Sequence, residues 1–244
     1  MTALSAGPVV TRVVSRERKG SSSPVVADTT EGQWFLKLSG ASQGVLPLVA
    51  EIIVGALAEA IGLHVPARTL VALPAGVASD DPNDELRDLL DASVGCNLGF
   101  ELLVNARDLT PPEFARVEVT TAARVLWLDA VVQNLDRTIH NPNLMIRRGT
   151  IWCIDHGACL PFHHDWGAVT EQMPHRPYDV PSHLFAWAAD LLPDVHAQYA
   201  PALSREVLRE AVAAVPDAWL GSDPARRREG YVAFLFKRLH GGWR

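Results

Sequence analysis

Residues 134–157 read Asn-Leu-Asp-Arg-Thr-Ile-His-Asn-Pro-Asn-Leu-Met-Ile-Arg-Arg-Gly-Thr-Ile-Trp-Cys-Ile-Asp-His-Gly. The stretch opens where an apolar helix ends. It holds a loop dense in Asp, Arg, His and Asn, followed by two short apolar runs. These runs, 143–146 and 150–154, are split by Arg147, Arg148 and Gly149 and read as a hairpin. Asp136 and Asn141 precede the hairpin and Asp155 follows it. If the hairpin folds back on itself, its two ends lie together and the three polar side chains converge.

That convergence suggests a chemistry. A Mg²⁺-dependent phosphoryl transferase needs one carboxylate to accept or orient the attacking hydroxyl. It also needs an amide and a second carboxylate to hold metal on the nucleotide phosphates. In the protein-kinase catalytic loop an Asn stands five residues after the catalytic Asp. Asn141 stands five residues after Asp136, and Asp155-His156-Gly157 fits the slot of the metal-binding Asp. The competing reading is that Asp136, Asn141 and Asp155 are turn residues, since Asp and Asn favour turns for local reasons. Three spacings agreeing at once argue against it.

The segment resembles the HipA-like branch of the protein-kinase-like superfamily, which includes bacterial toxin kinases. The match is closest to small stand-alone HipA-like kinase domains: Asp136-Arg137, then Asn141-Pro142-Asn143-Leu144, then Ile154-Asp155-His156-Gly157. The Asp136-Arg137 pair followed by Asn141 also resembles phosphatidylinositol kinases, more distantly. The resemblance implies a bilobal α+β fold: an N-lobe of antiparallel sheet plus one helix over residues 1–104, and a mainly helical C-lobe over 105–244. It implies ATP and Mg²⁺ as cofactors. Asp136 would be the base or orienting group, Arg137 a catalytic cation or a structural ion pair, and Asn141 and Asp155 the metal ligands.

Earlier in the chain, residues 8–14, 24–28 and 33–38 read as a three-stranded meander. The first turn carries Gly20, Ser21, Ser22 and Ser23, whose N–H and hydroxyl groups can meet phosphate. Taken alone, such a turn reads as a solvated hairpin. The resemblance implies that it covers the nucleotide phosphates, although it is not the Gly-rich loop of ordinary protein kinases. Lys37 lies on the third strand, where kinases hold the α/β-phosphates, and a helix Glu should orient it. The helical pattern of 45–61 offers Glu51, with Glu59 as the competitor. Otherwise Lys37 and both glutamates are solvated surface.

Further on, Arg68–Leu73 reads as a strand, residues 75–91 as an acidic loop or helix start, and 95–104 is ambiguous. A single strong helix is expected over 111–133, with helices over 183–192, 204–215 and 223–240. His163, His164 and Asp165 lack the partners that a zinc site needs.

Composition bounds the rest. The 48 % hydrophobic content supports a sizeable core, and a net charge of −6 without a long basic run disfavours direct nucleic-acid binding. Three cysteines without zinc spacing fit a reduced cytoplasmic setting. No apolar run reaches membrane-spanning length, and no signal-peptide core is present. The phosphoryl acceptor is open: a protein Ser/Thr, or a small-molecule hydroxyl. A catalytically silent nucleotide-binding scaffold is the rival, against which the complete Lys37, Glu51, Asp136, Asn141, Asp155 set argues. An antitoxin-like partner is left undecided, and the absent extra domain of full-length toxin kinases weighs against one.

Overall fold

The structure, a computed structural model, describes residues 7–16 and 24–241. The expected phosphate-covering turn, Gly20 to Ser23, lies outside the described residues. Two compact units divide the chain: Met1–Leu48 with Pro66–Val104, and Val49–Val65 with Asn105–Arg244.

In the first unit, alternating apolar residues build β1 (Val10–Arg16), β2 (Val25–Thr29) and β3 (Gly32–Lys37). β2 and β3 form a tight hairpin, and Gly32 has φ 92°, a left-handed value that glycine adopts without strain. Val13, Val25, Ala27 and Leu36 point into the core, as period-two alternation requires. After α1 (Leu46–Ala60) come β4 (Arg68–Leu73), β5 (Ala78–Ser79), α2 (Asp84–Ala92) and β6 (Gly95–Glu101). The six strands run in the order β4-β6-β3-β2-β1-β5. β5 pairs parallel to β1, and the other pairs are antiparallel.

Within the ambiguous stretch 95–104, Gly95–Glu101 is therefore an interior strand. Its Gly, Asn and Gly are residues that strands ordinarily lack, which is why the local pattern fails there. Gly95 has φ 114°, a value that favours glycine, and tertiary contacts require the other two. A Cβ on Gly99 would come 2.6 Å from a Val71 methyl. Buried Asn97 accepts the Ser39 N–H at 2.8 Å and donates to the Ser93 carbonyl at 2.8 Å. The acidic stretch before it resolves into a capped helix: Asn83 accepts the Glu85 N–H, while Leu86 and Leu90 join the sheet's core.

α1 crosses the division between the units, and from Val49 onward it belongs to the second. Only its last residues, Glu59 and Ala60, are exposed, so the apolar stripe wraps nearly the whole helix. The second unit continues with β7 (Arg107–Asp108), α3 (Pro111–Phe114), α4 (Val119–Val132), β8 (Leu144–Arg147) and β9 (Thr150–Cys153). Then come a run of 3₁₀ turns, α5 (Leu192–Tyr199), α6 (Arg205–Ala213) and α7 (Pro224–His240).

The single helix expected over 111–133 is two helices. A capping box between Thr110 and Glu113 starts α3, and Ala115 ends it. The Glu118 carboxylate then accepts the Thr120 and Thr121 N–H groups and starts α4 afresh. The helix expected over 183–192 is instead 3₁₀ backbone through Leu191. Regular helix begins at Leu192, with Pro193 in its first turn. α7 is tied to the end of α4 by buried Arg238. Its Nε and Nη2 donate to the Ala130 carbonyl at 2.9 and 2.7 Å, and its Nη1 donates to the Pro174 and Arg176 carbonyls. Ala130 lies in the last turn of α4, where carbonyls lack helical partners.

His163 is buried in the core. Its Nδ1 lies 3.0 Å from the Tyr231 hydroxyl inside an aromatic cluster with Phe162 and Trp166. Burial, reinforced by His164, lowers its pKa to about 3. Below the ordinary imidazole value of about 6.5, the unfolded chain takes up a proton that the native ring refuses. The native state is therefore favoured fully above that pH and loses stability as pH falls towards 3. His163→Gln, which can keep the Tyr231 contact without titrating, should flatten the dependence of unfolding free energy on pH between 6 and 4. The change should reach at most about 1.4 kcal/mol per pH unit, the limit for one proton. Urea titrations across that range check it, and an unchanged slope would contradict it.

Candidate active site

The site is built on the C-terminal end of α4. Gln133 caps that helix in the left-handed conformation, φ 57°, and turns the chain into the loop. Asp129, one turn back, is fully buried and gathers three side chains. Its Oδ1 accepts from Asn134 Nδ2 at 2.9 Å. Its Oδ2 accepts from Arg137 Nε at 2.5 Å and lies 3.0 Å from His183 Nε2. Burial pushes the Asp129 carboxyl up. The Arg137 guanidinium and the His183 contact more than reverse this and hold it below the ordinary carboxylate range.

Arg137 also donates through Nη1 to the Pro142 carbonyl at 3.1 Å and the Asn143 carbonyl at 2.5 Å. Its side chain is 1 % exposed. A guanidinium buried this way is not presented to a reacting phosphoryl group. Of the two roles left open for Arg137, a catalytic cation or a structural ion pair, the contacts observed are those of an ion pair that also bonds the far end of the loop. The segment after the hairpin is pinned to the same loop. The Tyr178 hydroxyl donates to the Asn134 carbonyl, and the Leu184 N–H donates to the Arg137 carbonyl at 3.2 Å.

With the backbone fixed, Asp136 is held by amides. Its N–H donates to Asn134 Oδ1 at 3.0 Å. Its Oδ2 accepts from Asn141 Nδ2 at 2.8 Å and from Asn143 Nδ2 at 3.2 Å. Thr138 closes the intervening turn: its N–H donates to the Asn141 carbonyl and its Oγ1 accepts the Asn141 N–H.

The hairpin has the expected form. Leu144 pairs with Cys153, Met145 with Trp152 and Ile146 with Ile151, and the Ile154 N–H donates to the Asn143 carbonyl at 3.1 Å. That register puts Asn143 and Ile154 side by side, so Asn141 and Asp155 leave from the same end of the hairpin. Asp155 is partly exposed, with φ 54°. Such a value is uncommon for a residue with a side chain and clusters at functional sites.

Among the described residues no group of three or more His, Cys, Asp or Glu could hold a metal by itself. An amide oxygen and a carboxylate are hard donors, and with phosphate oxygens and water they make a set that suits Mg²⁺. With the Asn141 NH₂ donated to Asp136, its amide oxygen is the atom left for a cation.

In the first unit, Lys37 ends β3 opposite Leu98 and is 6 % exposed, with its ammonium 5.9 Å from the centre of the Phe100 ring. Of the two candidate glutamates, Glu59 is exposed on α1 whereas Glu51 is buried. Burial raises the Cys153 thiol to about 11 and Cys159 well above its ordinary value, so both are held as thiols. Asp129, Tyr178 and His183 escaped the sequence expectations. Asp129 left a signal, a lone acid amid the apolar residues of α4. Tyr178 and His183 left none, since they reach the loop from more than 40 positions away.

Comparison with known proteins agrees with this geometry. The family model described as HipA-like kinase matches residues 10–240. Among solved structures, the Helicobacter pylori proinflammatory kinase CtkA is similar. Its TM-score is 0.53 at 10 % identity, over 92 % of this chain and 89 % of that one. At that identity the likeness shows a kinase-like fold. No curated protein sequence matches the chain.

Removing the guanidinium while leaving Asp129 in place strands a buried charge. Arg137→Leu should lower stability by roughly 3–5 kcal/mol. Asp129→Asn combined with Arg137→Leu should lower it by less than the sum of the two single changes. Urea unfolding of the four proteins checks this. Full additivity would show that the pair does not act as a unit.

Proposed function

The chain belongs to the HipA-like kinase family, and on that premise we propose that it transfers the γ-phosphoryl group of ATP, with Mg²⁺, to the hydroxyl of a protein Ser or Thr. The observation that carries the reading is the Asp136 carboxylate, held at Oδ2 by the Asn141 and Asn143 amides. Its position is set by the loop and by those two amides. Such a carboxylate is suited to accept a hydrogen bond from an incoming hydroxyl, orient its lone pair and receive its proton.

The other residues divide the remaining work. Asn141 and Asp155 would hold Mg²⁺, which when bound neutralises charge on the nucleotide phosphates. Lys37 would contact the phosphates, and Glu51 would orient Lys37. The Gly20 to Ser23 turn would cover the phosphates. Residues 1–104 would serve as the nucleotide-binding lobe and 105–244 as the catalytic lobe. Arg137 keeps the loop in shape and has no direct part in the transfer. Cys96, Cys153 and Cys159 are free, which suits a reducing compartment, and among the described residues no helix is long and apolar enough to cross a membrane. We take the cytoplasm as the site of action.

Two substitutions separate chemistry from binding. Asp136→Asn should slow phosphoryl transfer by about 10²–10⁴-fold, the usual worth of a positioned general base. It should leave the Mg-ATP-induced rise in melting temperature close to wild type. Asp155→Ala should lose both, because a metal ligand is gone. Transfer from labelled ATP to protein in cell lysate, alongside thermal shifts, reads both outcomes. Wild-type turnover in Asp136→Asn would refute the role given to Asp136. Nucleotide binding without transfer to any acceptor would favour the scaffold reading, and label appearing only in small molecules would move the acceptor class.

A further inference from the structure

One buried contact next to the metal-holding carboxylate has no part in the mechanism above. His156 directly follows Asp155. Its Nδ1 lies 3.4 Å from Oε2 of Glu51 on α1, and the two side chains are 3 % and 1 % exposed. The other ring nitrogen, Nε2, is buried without a hydrogen-bond partner among the described residues. Leaving a polar atom unmatched in the interior is unfavourable. A Leu or Phe would fill the same space without that cost. What the imidazole adds is its contact with the Glu51 carboxylate.

The contact bears on the backbone of Asp155. A non-glycine residue at φ 54° persists only where its neighbours over-determine it. On one side, the Ile154 N–H is fixed to the Asn143 carbonyl at 3.1 Å. On the other, the His156 carbonyl accepts the Cys159 N–H at 3.0 Å, and the His156 ring is seated against Glu51. Relaxing Asp155 to an ordinary φ would swing the following residue and withdraw the ring from Glu51.

We infer that His156 is a positioning residue: through Glu51 it locks the left-handed turn that aims the Asp155 carboxylate, so that α1 and the metal ligand are set together. The inference rests on the metal-holding role proposed for Asp155. Beside the role proposed for it above, Glu51 thereby holds the Asp155 turn. A mechanical link follows, in which displacing this part of α1 weakens metal binding even when every metal ligand is intact.

The test compares wild type, His156→Leu, His156→Gln, Glu51→Gln and the Glu51→Gln/His156→Leu double variant. Each is melted with ATP in EDTA and with ATP over a Mg²⁺ titration, and transfer from labelled ATP is followed over the same titration. In His156→Leu the metal-free ATP shift should stay at the wild-type value. The Mg²⁺ concentration giving half the metal-dependent increment should rise about tenfold or more, the usual cost of losing a partner behind a metal ligand. His156→Gln, which can still reach Glu51 with an amide, should recover part of that loss. The double variant should need no more Mg²⁺ than His156→Leu alone, because once the imidazole is gone the Glu51 change has no contact left to alter. A merely structural histidine would lower the apo melting temperature and leave the Mg²⁺ midpoint unmoved, and that result overturns the inference. If His156→Leu does not fold, Glu51→Ala, which leaves no oxygen for the imidazole, takes its place, and a wild-type Mg²⁺ midpoint there overturns the inference equally. If wild type itself shows no Mg²⁺-dependent increment, the proposed function fails first and this inference falls with it.

Discussion

The loop that follows α4 depends on one buried ion pair. Asp129 and Arg137 meet at 2.5 Å, each about 1 % exposed, in a place where an unpaired charge would be intolerable. Because each needs the other, the loop cannot relax without stranding a charge. Arg137 reaches past Asp129 to the Pro142 and Asn143 carbonyls, and Asp129 reaches past Arg137 to Asn134 and His183. The pair thereby fixes both ends of the loop carrying Asp136. Such a pair adds little net stability over an apolar one. What it supplies is a single loop geometry.

The second constraint is the hairpin register. A slip of one residue between β8 and β9 would turn every side chain to the opposite face. It would also separate Asn143 from Ile154, and with them Asn141 from Asp155. The observed pairing, from Leu144–Cys153 through Arg147–Thr150, prevents this. The turn at its tip uses Arg148 and Gly149 with positive φ, the geometry that two-residue hairpins favour. Ordinary turn chemistry at one end of the hairpin therefore positions unusual chemistry at the other.

The sequence was legible where local patterns and spacing carry the information. The meander β1–β3, strand β4, the hairpin and helix α7 follow from alternation, turn residues and caps. The Asp136, Asn141 and Asp155 spacing pointed to a kinase family, which the family match over residues 10–240 bears out. Strand β6 was not legible, because Gly95 answers to a positive φ and Asn97 and Gly99 to tertiary neighbours rather than to strand propensity. The break between α3 and α4 was hidden because 115–118 contains no Gly or Pro; the Glu118 cap that restarts the helix can be seen only in three dimensions. For Arg137 the sequence left a catalytic cation and a structural ion pair equally open. Its neighbour Asp136 suggested chemistry, whereas its partner is Asp129, eight residues back on the preceding helix.

The central claim is that one active site for nucleotide and metal is organised around Asp136, Asn141 and Asp155. It is tested most directly by diffraction from crystals grown with a non-hydrolysable ATP analogue and Mn²⁺ in place of Mg²⁺, using the anomalous signal to locate the metal. The account predicts a Mn²⁺ peak in coordination contact with the Asn141 amide oxygen and the Asp155 carboxylate, with the γ-phosphate facing Asp136. A nucleotide and metal bound elsewhere, with Asn141 and Asp155 untouched, would contradict it.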